Sequence, residues 1–411
     1  MPENCDILIR NARLRGAAGE LRDISIAGGR IDRIGPGLDA MADTEIDAAG
    51  GLVTESFANP HLHLCKVWTL EKMHEESLKA YREGSMGKAM SAIERASIVK
   101  ENYHASWITE NARRAAALAA LHGNLHIRAF ADVDSKARLE GVKGVLAVRD
   151  EFRGIVDIQV VAFAQDGIVR EPGAEALLRE AMELGADVVG GIPWIEFTDA
   201  DAARHVRICF DLAVEFDKDV SMLLDDAGDP GLRTLEMMAV EAIARGWEGR
   251  ALAHHCRAMA LYPEPYFKRL SAILKRAGVP VVSDPHTGPL HARVHELLED
   301  GVLVCLGQDD ISDAYYPFGR NNMLEVAFLA SHLLWMTARE EIDRLYDLVT
   351  VDAARAMNVA DFALAPGNPA HLVVLAEPNT VEALRNHSAP AHVVSHGAVL
   401  DRERMAALAA G

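Results

Sequence analysis

The sequence predicts an α/β chain built as a (β/α)8 TIM-like barrel with a small β domain made from both chain termini. Three observations predict it. Through the middle of the chain, eight apolar strand candidates alternate with amphipathic helices, the pattern of a parallel sheet or barrel, and eight is the number that closes a barrel. Both ends read instead as short strands with tight turns, and the termini of compact chains often lie close together. The length, 411 residues, exceeds one ordinary domain and suits a large barrel with an added small unit.

The small domain is expected over residues 1–55 plus 360–411, and the barrel over 56–359. At the start, strands are expected at residues 6–10, 23–27 and 30–34, with turns at Gly28-Gly29 and Gly35-Pro36-Gly37. The eight barrel strands are read at 52–57, 124–130, 156–163, 187–192, 219–224, 250–253, 279–283 and 302–307. Residues 70–121 are mostly helical by pattern and longer than a first barrel helix needs. Their early part, through Gly84-Ser85-Met86-Gly87, reads equally as a mobile cover over a pocket or as an extra packing helix. The tail returns to strand character at 371–375, after Pro366-Gly367-Asn368-Pro369, and at 391–395, before His396-Gly397.

Half the residues are apolar and a quarter are charged, the balance of a soluble globular protein. No apolar run reaches the roughly 18 residues of a membrane span. The start Met1-Pro2-Glu3-Asn4-Cys5-Asp6 lacks the basic and apolar regions of a signal peptide, so a cytoplasmic protein is expected. The net charge of −19 repels phosphate backbones and anionic lipid, which argues against nucleic acid and membrane partners. A small-molecule substrate remains as the expected partner, with a homo-oligomer left open. The five cysteines, Cys5, Cys65, Cys209, Cys256 and Cys305, are odd in number and widely spaced, against both a disulfide framework and an all-sulfur zinc site. Cys65 and Cys256 each neighbour a histidine of interest, and read equally as pocket residues or as small buried apolar ones.

A barrel enzyme draws its chemistry from the carboxyl ends of its strands. In Pro60-His61-Leu62-His63 two imidazoles lie two residues apart after an apolar run, so on a strand both face one way and can reach one metal ion. Polar residues follow nearly every other strand: Asp132, Gln165-Asp166-Gly167, Asp225-Asp226, His254-His255, Asp284-Pro285-His286 and Gln308-Asp309-Asp310. A single Asp after a strand is usually a helix cap, but seven polar strand ends converging on one mouth point to a site. Such a set supports metal-assisted hydrolysis, in which Asp309 takes a proton from water and His255 polarises the substrate carbon.

These motifs resemble the amidohydrolase superfamily, in the branch of cytosine deaminase and N-isopropylammelide amidohydrolase, over almost the whole chain. The resemblance rests on Asn59-Pro60-His61-Leu62-His63, Val133-Asp134-Ser135, the run from Asp157 to Gln165, Gly307-Gln308-Asp309-Asp310, Tyr316-Pro317-Phe318-Gly319 and the tail from Pro366 to Leu375. It implies a (β/α)8 barrel with a small β-sandwich domain formed by both termini. It also implies a hydrolase of non-peptide C–N bonds in a nitrogen heterocycle, typically a deaminase, using one divalent metal ion, zinc or iron. Position by position, His61 and His63 become metal ligands, Asp309 a ligand and general base, and His255 the strand-six histidine. Gln165 becomes the glutamine that hydrogen-bonds the substrate ring, and Lys66 a substrate-orienting lysine, read equally as a solvated loop residue.

The resemblance breaks at strand five. Where the family has a metal-binding histidine and, three residues on, a proton-shuttling acid, this chain has Leu223 and Asp226. Three arrangements are compatible with that loss. Asp225, two residues beyond Leu223 on the same strand face, replaces the imidazole as a metal ligand. The ion stays with His61, His63 and Asp309, helped by His255 and water. The carboxylates and histidines work without a metal. Cys65 stands where cytosine deaminase carries an aspartate, and Phe130 where relatives have histidine; Leu223 and Phe130 together predict a more apolar pocket and a bulkier or less polar substrate than cytosine. A single metal is expected, since Gln165 occupies the strand-three end where two-metal relatives carry a bridging lysine. Two other functions stay open: a metal-free or non-catalytic small-molecule binder, and an amide- or carbamate-type hydrolase.

Overall fold

The computed structural model describes residues 3–17, 19–70, 97 and 99–411. The stretch around Gly84 read as a cover or packing helix lies outside the described residues. The first four strands, β1 (Glu3–Arg13), β2 (Leu21–Ala27), β3 (Arg30–Gly35) and β4 (Ala40–Asp47), form one sheet in the order β3-β2-β1-β4. The short β5 (Val53–Glu55) joins another sheet made mostly by the distant tail. β5 pairs antiparallel with β14 (Leu372–Val374), which pairs with β15 (His392–Ser395), which in turn pairs with β16 (Ala398–Val399), giving the order β16-β15-β14-β5. Alternation along β1 turns Ile7 and Ile9 to one side and Leu8 to the other. Ile7 and Ile9 pack with Ile24, Ile26, Val53, Leu372, Val374 and Val394 between the two sheets, so residues from both ends of the chain share one apolar layer.

The barrel is an eight-stranded parallel sheet in sequence order: β6 (Phe57–Leu62), β7 (Asn124–Asp132), β8 (Asp157–Phe163), β9 (Val188–Gly191), β10 (Asp219–Leu224), β11 (Ala251–His255), β12 (Val281–Ser283) and β13 (Val304–Leu306). Helices α1 (Ala105–Leu121), α2 (Glu140–Glu151), α3 (Ala174–Glu183), α4 (Asp199–Phe216), α5 (Thr234–Arg245), α6 (Glu264–Ala277) and α7 (Val294–Asp300) alternate with the strands, and α8 (Met323–Leu333), α9 (Arg339–Leu348) and α10 (Val351–Ala356) follow the last. The strands are buried on both faces, which is why they read as continuous apolar runs. No helix among the described residues is long and apolar enough to cross a membrane.

Two expectations need correction. The first barrel strand is not 52–57. Residues 53–55 pair with β14 in the terminal sheet, and the barrel strand starts at Phe57, so His61 lies inside it and His63 just beyond. The tail is not all sheet either: α11 (Thr380–Asn386) and α12 (Arg402–Ala410) follow β14 and β16.

The last barrel strand returns to the first where the site lies. The Asp309 N–H donates to the His61 carbonyl at 2.9 Å, and the His63 N–H donates to the Asp309 carbonyl at 2.9 Å. Asn59 Oδ1 accepts from the Gln308 N–H at 3.1 Å and from the His61 N–H at 3.2 Å. Gly307 permits this approach, because a Cβ there would lie 2.8 Å from the Cβ of His61.

Candidate active site

The closure brings Asp309 against both histidines of the His61-Leu62-His63 motif. Asp309 Oδ1 lies 3.0 Å from His61 Nε2 and 3.6 Å from His63 Nε2, with all three residues buried. Burial holds both imidazoles below their ordinary pKa, His63 well below, so both are neutral and have lone pairs to offer. His63 Nδ1 has no hydrogen-bond partner among the described residues. Donor atoms of His61, His63 and Asp309 lie within 4.8 Å of one another, a set that fits a divalent ion.

His61 is oriented from behind. Its Nδ1 lies 2.8 Å from Nδ1 of His254, which sits on β11 in register with Leu223 of β10. If His61 binds an ion through Nε2, its proton resides on Nδ1 and is donated to His254. The side chain of Leu223 lines the cavity and joins Phe130, Phe163, Ile192, Trp194 and Ile195 in an apolar wall. The Phe130 ring packs 4.5 Å from the His61 ring and 5.4 Å from the His63 ring, centroid to centroid. These rings form a packed apolar surface beside the metal-ligand candidates.

On the other side stands a charged cluster. His255 Nδ1 lies 2.8 Å from Asp284 Oδ1, and its Nε2 lies 3.9 Å from Asp226 Oδ2. Arg257 pairs with Asp226 and, at 2.9 Å, with Asp284, and it donates to Thr287 Oγ1 at 2.6 Å. Burial opposes a charge on His255, but the carboxylates of Asp226 and Asp284 outweigh it and hold the imidazole up at about 9. Burial pushes the Asp226 carboxyl upward against the pull of Arg257 and His255. Asp284 is held well below the carboxylate range, because His255 and Arg257 overcome its burial. His255 is thus a charged donor at neutral pH, aimed by Asp284.

Asp225 is not with this group. Oδ1 of Asp225 accepts from the Thr234 N–H at 2.7 Å and the Thr234 hydroxyl at 2.6 Å, and Oδ2 accepts from the Tyr262 hydroxyl at 2.5 Å. The left-handed backbone at Asp225, φ 46°, breaks the alternation on which its expected reach depended. Asp225 therefore anchors the start of α5 and is corrected from ligand to structural residue, while Asp226 faces the cavity. Gln165 also lines the cavity; its Oε1 accepts from Lys66, and its Nε2 donates to the Tyr315 hydroxyl at 3.1 Å. Lys66 is neither a solvated loop residue nor a cavity wall. It is buried between Gln165, which lines the cavity, and Asp132, 3.5 Å from the latter.

A cavity open to solvent is lined by His63, Gln165, Asp226, His255, Asp309 and Asp310 on its polar sides. Arg257, Trp194 and Tyr315 also line it, and the sequence reading missed all three. Arg257 and Trp194 lie in single 3-10 turns just past strand ends, where a residue two or three places on from the strand already faces the mouth. Neither Cys65 nor Cys256 lines the cavity. Both are buried, and burial pushes the Cys65 thiol up to about 12.

Residues 44–401 match the model of the amidohydrolase family. A crystal structure of 5-methylcytosine deaminase from Klebsiella pneumoniae, liganded with 5-fluorocytosine, superposes with a TM-score of 0.86 at 33% identity, covering 96% of this chain and 97% of that one. The N-isopropylammelide isopropyl amidohydrolase of Pseudomonas sp. (strain ADP) is 28% identical, covering 98% of this chain and 99% of its own. The pterin deaminase of Rhizobium rhizogenes (strain K84 / ATCC BAA-868) is 25% identical, covering 92% of this chain and 88% of its own. The seam-borne His-x-His and aspartate, the barrel around them and the matched segment agree: the chain belongs to the amidohydrolase family.

Proposed function

We propose that this chain hydrolyses the bond between a ring carbon and an exocyclic nitrogen of a nitrogen heterocycle, releasing ammonia or an amine. The family is one of metal-dependent hydrolases of non-peptide C–N bonds, and its relatives here are named for a pyrimidine, a triazine and a pterin. The observation that carries the proposal is the convergence of His61 and His63 on Asp309, with His63 and Asp309 lining a cavity open to solvent.

In this reading His61, His63 and Asp309 would hold one divalent ion, zinc or iron, which would supply Lewis-acid activation of water, lowering its pKa from 15.7 to about 7. Asp309 takes the proton of the attacking water. His255, charged and aimed by Asp284, donates a hydrogen bond to the ring atom on which negative charge develops. Asp226, tied to Arg257, relays the proton that Asp309 has taken to the departing nitrogen. Gln165, held by Lys66 and Tyr315, presents its amide to the ring edge, and Phe130, Trp194 and Leu223 exclude water from the ring face.

The test pairs metal content of the purified protein with ammonia or amine release from a panel of pyrimidines, triazines and pterins. At least one equivalent of zinc or iron and turnover of at least one ring are expected, with alkyl-substituted rings preferred over cytosine. Absence of metal together with no release from any ring would overturn the reading.

A further inference from the structure

A second set of metal-ligating side chains lies at the other end of the strands, where β7 and β8 begin and the terminal sheets pack against the barrel. His126 is near the start of β7 and Asp157 opens β8; His371 immediately precedes β14 and His396 follows β15. His126 Nδ1 lies 3.5 Å from Asp157 Oδ2, and His396 Nε2 lies 3.2 Å from Asp157 Oδ1. The His371 ring stands edge-on to His126 at 4.9 Å and to His396 at 4.3 Å between centroids. One donor atom each from His126, Asp157 and His371 falls within 4.8 Å of the others.

Ordinary packing leaves this cluster incompletely satisfied. His126 is only 4% exposed, yet its Nε2 has no hydrogen-bond partner among the described residues. An unmet polar atom at such depth is an unfavourable arrangement unless something else satisfies it. Asp157 and His396 have side chains 42% and 40% exposed, so the cluster opens to solvent on one side.

We propose that His126, Asp157 and His371, with His396 at the rim, form a second binding site for a divalent transition metal, separate from the active site and bridging the barrel to the terminal sheets. A donor set dominated by imidazole suits zinc, cobalt, nickel or copper rather than magnesium or calcium. Burial supports this chemistry, pushing His126 down to about 3 and His371 to about 4, so both rings are neutral ligands. His126 and Asp157 belong to the barrel and His371 and His396 to the terminal sheet, so an ion here cross-links elements that the chain brings together only on folding. It therefore stabilises the folded state by mass action.

The test uses the full chain stripped with a chelator and titrated with Zn2+ and Co2+. The active-site pair is removed in a His61→Ala, His63→Ala variant. In that background one equivalent of Zn2+ is expected to bind, raising Tm in a saturable way and, as Co2+, giving visible absorption of imidazole ligation. Adding Asp157→Asn, a half-exposed isosteric change, or His371→Asn is expected to weaken that binding at least tenfold. In the otherwise native chain both changes leave kcat/KM of the metal-replete enzyme intact. Absence of Zn2+ binding in the active-site variant overturns the proposal, as does undiminished binding after both Asp157→Asn and His371→Asn. Failure of the catalytic reading shows separately, as activity that survives loss of His61 and His63.

Discussion

Gly307→Ala tests whether the approach of the last strand to the first sets the geometry of catalysis. The new Cβ would lie 2.8 Å from the Cβ of His61 and 3.1 Å from Val282 Cγ1. Carbon atoms in contact sit about 3.5–4.0 Å apart, so one of the two strands must yield by roughly 0.7–1.2 Å. Neither Cβ can swing away like the tip of a side chain, so the shift falls on the backbone that carries His61 and Asp309. A misplacement of about 1 Å in a catalytic group costs on the order of 100-fold in rate, or about 2.7 kcal/mol of barrel-imposed positioning. Overpacking itself costs about 1–3 kcal/mol of stability. Amine release, Zn2+ affinity and urea unfolding are to be measured side by side with Gly190→Ala. A Cβ at Gly190 would lie 2.6 Å from Val161 Cγ1, 2.8 Å from the Ala162 carbonyl oxygen and 3.2 Å from Phe163 Cα, a contact at least as tight but away from the His61 and Asp309 seam. Both variants should lose similar stability, but only Gly307→Ala should lose about 30- to 100-fold in kcat/KM and at least tenfold in Zn2+ affinity. Native kcat/KM and Zn2+ affinity in a folded Gly307→Ala protein would refute the reasoning.

Three further outcomes are expected. Asp309→Asn keeps size and fold but removes the base and a charged ligand, so circular dichroism stays native while turnover falls below detection; an active variant would exclude the assigned role. Leu223→His places an imidazole on the cavity wall beside His63 and Asp309, and equilibrium dialysis should show Zn2+ binding at least tenfold tighter, whereas unchanged affinity would mean that the wall cannot present a ligand. Burial, aided by Arg320, depresses His122 from 6.5 to about 4, so between those values the unfolded chain binds a proton that the folded chain does not. Its contribution is present above pH 6.5 and lost as pH falls toward 4, on the order of 3 kcal/mol. His122→Asn should flatten that part of a urea-unfolding series against pH, and an unaltered slope would count against it.

The barrel was legible because its strands are buried on both faces and so appear as uninterrupted apolar runs, each followed by its polar terminus. The first strand was misplaced for the same reason. Residues 52–62 are almost continuously buried, and nothing in their side chains marks the handover at Ser56 from terminal sheet to barrel. Of the site, His61, His63, Asp309, His255, Asp226 and Gln165 could be read from motif and strand-end position. Asp225 could not be placed correctly, because its left-handed φ is a backbone property that alternation does not anticipate. Arg257 escaped because its part depends on Asp284 and Asp226, carried by two other strands, and such convergence has no signature in one stretch of sequence.

His61 and Asp309 are separated by 248 residues, yet their backbones hydrogen-bond where the cylinder closes. If the proposed ion binds here, its ligand pair is also the latch of the fold. A nascent or partly folded chain lacking β13 possesses the His-x-His motif but no place to bind an ion productively. An ion captured there favours the closed cylinder over every open form by its own binding free energy. Metal supply would then govern the lifetime of the folded enzyme as well as its turnover, and metal starvation would be felt first as opening along this seam.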